Sequence, residues 1–140
     1  MKVLLSVSSL ILLLGFAQCN RPGNPQSPML GRYELAGYDS SGRLIFTGAI
    51  SLVSLEQNQL KGQCTIAREK DAPEGLFDQN GDCEGSVDGK KVTIDLAPAV
   101  DDGGLVLEGQ FDEGRITGVW MFDTFAGSKP LGKFEAVKKE

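Results

Sequence analysis

The sequence predicts an all-β protein: one eight-stranded antiparallel up-and-down β-barrel. Three observations carry that prediction. Apolar residues recur at every second position through most of the chain, which is the strand period. Clusters of Asp, Ser and Gly punctuate these runs at short spacings, as hairpin turns do. No segment after the first nineteen residues carries the wider period of an amphipathic helix.

A unit of apolar, any, Gly, any, apolar ties the strands together. It appears as Phe46-Thr47-Gly48-Ala49-Ile50, Leu60-Lys61-Gly62-Gln63-Cys64 and Cys83-Glu84-Gly85-Ser86-Val87, then as Leu107-Glu108-Gly109-Gln110-Phe111 and Ile116-Thr117-Gly118-Val119-Trp120. The alternation puts each glycine on the same face as its apolar neighbours, where strands coil and bulky rings approach backbone.

The strands follow in order. Leu30–Tyr38 carries Tyr33 and Leu35 on one face and stops at Asp39-Ser40-Ser41-Gly42. Arg43–Leu55 and Leu60–Ala67 hold the first two glycine units. The longest connection, Thr65 to Asp82, leads to Asp82–Val87, and Asp88-Gly89 turns that strand into Lys91–Leu96, whose Val92-Thr93-Ile94-Asp95-Leu96 alternates cleanly. Asp101-Asp102-Gly103-Gly104 precedes Leu105–Phe111, Asp112-Glu113-Gly114 precedes Arg115–Phe122, and the loop Asp123–Pro130 precedes Leu131–Val137. Short connections make sequential strands antiparallel neighbours, and eight such strands close on themselves and lose their edges. The inward row is then Tyr33, Leu35, Phe46, Ile50, Leu60, Ile66, Val87, Ile94, Leu107, Phe111, Trp120, Phe122 and Phe134. A barrel of this size fills with side chains or holds one small ligand. Tyr33, Trp120 and Phe122 are the candidate ligand contacts.

The start of the chain has a different character. Lys2 is followed by an apolar run, Val3 to Ala17, shorter than the about 20 residues a membrane-crossing helix needs. A positive start, an apolar segment and small residues form the layout of an export signal. Cleavage after Ala17 fits one reading. Cleavage before Cys19 fits the other, because Leu14-Gly15-Phe16-Ala17-Gln18-Cys19 resembles the lipobox of bacterial lipoproteins, with Gln18 where Gly or Ala is usual. The resemblance implies a signal peptide over 1–18, lipid on Cys19, a Pro-rich linker over 19–28 and a folded domain over 29–140. It also implies a cell-envelope location; Asn20 after the anchor leans towards the outer membrane. Two or more acyl chains give stable anchoring.

Cysteine arithmetic bears on the same point. Of the three cysteines, Cys64 and Cys83 lie in the body at inward parity, so a disulfide between them is expected in an exported chain. Cys19 is the thiol left over, and acylation gives it a use.

Composition excludes several functions. Basic and acidic residues number 14 and 19, and no cationic stripe is interleaved with aromatics, which excludes a nucleic-acid partner. Without histidine there is no His-ligated zinc and no imidazole base. Paired acids such as Asp101 and Asp102 sit in turns, so no catalytic residue and no cofactor is expected. Asp78-Gln79-Asn80-Gly81-Asp82 spaces its oxygens like a calcium loop, but Cys83 stands where such a loop needs Gly, and Gly89 where it needs Glu. The stretch reads as a polar turn before the fourth strand, and no metal site is expected.

Gly31-Arg32-Tyr33 and Gly118-Val119-Trp120 resemble the G-x-W signature of calycins, the lipocalin and avidin barrels. The resemblance extends to architecture and implies a calycin-like barrel. The expected function is a membrane-anchored, non-catalytic binding module of the envelope. The alternatives are a carrier of a small hydrophobic ligand and, by analogy with small barrel inhibitors, a periplasmic protease inhibitor. Loops carry binding more often than strands, which points to Thr65–Asp82 and to Phe125 in Asp123–Pro130.

Overall fold

In a computed structural model, residues 27–73, 78–100 and 103–140 are described. Eight strands run β1 (Gly31–Asp39), β2 (Leu44–Glu56), β3 (Gln59–Arg68), β4 (Gln79–Asp88), β5 (Lys91–Asp95), β6 (Gly104–Asp112), β7 (Arg115–Thr124) and β8 (Gly127–Lys138). Each pairs antiparallel with its sequence neighbour, and β1 pairs with β8, so the sheet closes as the alternation predicts.

The two ends of the barrel differ. One end, the foot, gathers three two-residue hairpins: Gln57-Asn58, Gly89-Lys90 and Glu113-Gly114. Positive φ at Gln57, Asn58, Gly89, Glu113 and Gly114 gives these turns the twist that hairpin strands require. The chain also comes in at the foot, through Ser27–Leu30, and leaves there. Lys138 Nζ donates to the Pro28 carbonyl (2.7 Å), and the Lys139 amide donates to the Arg32 carbonyl (2.8 Å). The opposite, loop end carries the connections β1–β2, β3–β4, β5–β6 and β7–β8.

The interior is apolar and stacked from foot to loop end. Met29 plugs the foot, and its carbonyl accepts the Tyr33 hydroxyl (2.7 Å). Leu35, Ile50, Leu60, Ile66, Ile94 and Leu107 fill the middle, and Phe46 and Trp120 lie towards the loop end. Val87, Phe111 and Phe122 from the expected inward row are only partly buried, because each lies near a strand end. Ile45, Leu52, Val92, Leu96, Leu105 and Ile116 join the core as well. Ile45 enters it through the irregularity that pairs Gly37 with Phe46 but Tyr38 with Leu44.

Two expected loops are strands. The fourth strand starts at Gln79, with Ile66↔Gln79, Thr65↔Asn80 and Cys64↔Gly81 in register. The expected loop Asp123–Pro130 is a tight hairpin around Phe125-Ala126, with Asp123↔Ser128 paired. Pro130 lies inside β8 because the irregularity between Trp120 and Met121 accommodates a residue without an N–H.

Candidate functional site

The sequence-predicted contacts do not form one site. Tyr33 sits just inside the foot, opposite Lys138 on β8, whereas Trp120 is opposite Gly132 on the same strand. Six residues of β8 separate those levels, about 20 Å along an extended strand. Trp120 and Phe122 do come together. Phe46 and Trp120 meet edge to face at 5.4 Å between centroids, and Trp120 meets Phe122 in the same way at 6.0 Å.

Trp120 is held in place by its own hydrogen bond. Indole Nε1 donates to the Tyr38 carbonyl (2.8 Å), reaching over β8 to β1. It passes at Gly132, where a Cβ would collide with the Tyr38 oxygen and stand 2.6 Å from the indole nitrogen. Phe46 lies against Gly37 in the same manner. These rings, each 1 % exposed or less, plug the barrel below the loop end. Burial pushes the Tyr33 phenol up to about 12, which keeps it protonated as donor to Met29.

The expected disulfide is not formed here: Cys64 and Cys83 are both buried free thiols. They project into the barrel from adjacent strands at diagonal positions, with Cys64↔Gly81 and Gly62↔Cys83 in register. Cys83 donates to the Cys64 sulfur, and Cys64 donates to the Leu96 carbonyl (3.3 Å). That S–H···S bond, and then burial, pushes the Cys83 thiol well up.

The calcium-like stretch is overturned as a turn. Gln79 to Asp82 are extended, so successive side chains leave opposite faces and cannot wrap an ion. Asp78 instead accepts the Arg68 amide (2.9 Å). Among the described residues no group of acids and cysteines could hold a metal. No helix among them is long and apolar enough to cross a membrane. The leader, Cys19 and residues 20–26 of the linker lie outside the described residues, as do Leu76, Phe77, Asp101 and Asp102.

Exposed apolar groups lie at the loop end, while Val53 is exposed on the foot half of β2. Phe125 tips the β7–β8 hairpin at 84 % exposure, and Val100 ends the Leu96–Val100 segment at 51 %. Between that segment and Gln79–Asp82 lies a cleft of about 590 Å³. The cleft exists because β4 has ten residues and β5 only five. Sequence spacing put the strands in the right order but gave no sign of this mismatch, which depends on register.

No family model matches the chain, and no curated protein matches it. Among solved structures it is similar to a redesigned β-barrel, b11L5F_LGL. The TM-score is 0.52 at 11 % identity, covering 80 % of this chain and 92 % of that one. It is also similar to the redesigned β-barrel mFAP0, solved bound to DFHBI, with a TM-score of 0.49 at 14 % identity, covering 79 % and 98 %. The first likeness agrees with the closed eight-stranded fold, and at these identities the fold is what it conveys.

Proposed function

We propose that the protein is an exported, lipid-anchored, non-catalytic binding module of the bacterial cell envelope, which presents its loop end to a partner. One observation carries this reading: the chain enters the barrel at the foot, and the long connections and exposed Phe125 and Val100 lie at the other end. A lipid on Cys19 would therefore hold the foot towards the bilayer, with a linker of about 25 to 30 Å between them. The loop end then faces away from the membrane, in the outer membrane's periplasmic or surface space. A carrier role has less support, since Phe46, Trp120 and Tyr33 occupy the interior that a ligand would need.

Placing a photo-crosslinking residue at Phe125, and separately at Lys90 on the foot, tests this in the producing cell. A partner joined from Phe125 and not from Lys90 is expected; cross-links from Lys90 alone would reverse the orientation. Intact mass reads the anchor in the same preparation. An unmodified chain starting at Gln18 would remove the lipid from the proposal.

A further inference from the structure

We propose that the open edge of β4 is a docking strand for an extended, cationic segment of a partner protein, which pairs with Asn80 and Asp82 beside Leu96–Val100. The inference deepens the loop-end reading and rests on it.

The pairing register leaves a place for an added strand. The last β4–β5 pair is Glu84↔Asp95, so among the described residues Gln79–Cys83 have β3 on one side and no strand on the other. The Val87 amide donates to Asn58 on the β3 side. Alternation from Val87 then turns the N–H and C=O groups of Asn80 and Asp82 towards the vacant side. An unpaired row of this kind templates an incoming strand, and extended peptides add to sheets in this way.

The walls of the cleft define what fits. Gly81 faces it with nothing within 4 Å of the position a Cβ would take. Gln79 lines it, and its Oε1 is buried with no hydrogen-bond partner among the described residues. A buried acceptor without a donor costs free energy that a hydroxyl or amide of the incoming segment would recover. Leu96, Ala97, Pro98, Ala99 and Val100 form the apolar far wall.

Charge selects among occupants. Asp82 and Glu84 project from the outer face of β4, Asp78 and Asp95 flank them, and none of the described ion pairs uses any of these four. Cross-strand partners of opposite charge stabilise pairing, and like charges directly opposite destabilise it. A second copy adding through the same edge would set acid against acid. A segment with Lys or Arg on its outer face, and Val or Thr on its inner face, meets both the charge and the apolar wall.

The test uses full-length, isotope-labelled protein in detergent micelles and a blocked peptide of alternating Lys with Val and Thr. Binding should slow amide exchange at Asn80 and Asp82 by about tenfold, as a hydrogen bond worth about 1.4 kcal/mol would. Asp82→Lys, an exposed change, should weaken the peptide by about fivefold. Backbone N-methylation of alternate peptide residues should abolish binding. No binding, equal binding of the Glu-for-Lys peptide, or binding without protection at Asn80 and Asp82 would each overturn the inference. A Phe125 cross-link obtained alongside any of these would leave the loop-end reading standing, and loss of the cross-link alone would end that reading instead.

Discussion

At Gly132 a missing side chain does structural work. The Trp120 indole reaches Tyr38 only because β8 presents no Cβ there. Gly132→Ala should displace the indole and destabilise the fold by about 1–3 kcal/mol, the usual range for overpacking. Denaturant unfolding followed by Trp120 fluorescence measures it, and an unchanged midpoint would mean the ring is held some other way. Tyr33 gives a second readout. Its folded value of about 12 lies above the ordinary 10, so its contribution is whole below pH 10 and fades as pH rises through 12. Ultraviolet titration should show a tyrosine ionising near 12, and Tyr33→Phe should remove that step. Sequence parity placed both residues inside, but it could not separate their levels, since level depends on strand stagger.

Among the elements, the β1–β2 turn carries a hydrogen-bonded carboxylate. The Asp39 carboxylate accepts the Ser41 hydroxyl (2.7 Å) and the Arg43 amide (3.0 Å), and these bonds hold it down at about 2. A depressed acid stabilises the turn above its ordinary value and loses that effect as pH falls through the folded one. Amide shifts of Ser41 and Arg43 should therefore move together as pH drops from about 4 to 2. Alternation read most strand centres correctly and failed at two starts. Gln79 to Asp82 are polar enough to imitate a turn, yet β3 supplies the ladder that makes them strand. Pro130 imitates a strand breaker, yet the irregularity beside Met121 removes the need for its N–H. The open β4 edge was illegible for a related reason: neither β4 nor β5 reveals where the other stops.

For the whole molecule, the thiols join fold to compartment. Cys64 and Cys83 already touch, and each could lose its hydrogen as a sulfur–sulfur bond forms, passing two electrons to a disulfide oxidant. If the chain is exported as proposed, protein recovered from the envelope should carry this bond. The linkage would close a loop of about 20 residues and stabilise the fold by about 3 kcal/mol. An intact mass about 2 Da below that of the reduced chain and unchanged by alkylation, with a raised unfolding midpoint, checks it. Alkylation of both thiols in the unfolded recovered protein would show them reduced in place.

The foot-and-loop arrangement has a mechanical meaning. If the proposed anchor and partner hold opposite ends of the barrel, tension would run along the strands rather than across them. β1 lies between β2 and β8, and its ladder bonds stand perpendicular to its length. Such a load shears those bonds together instead of unzipping them one after another. Under the proposed anchoring, the seam that closes the barrel would thus be loaded in the direction that resists separation.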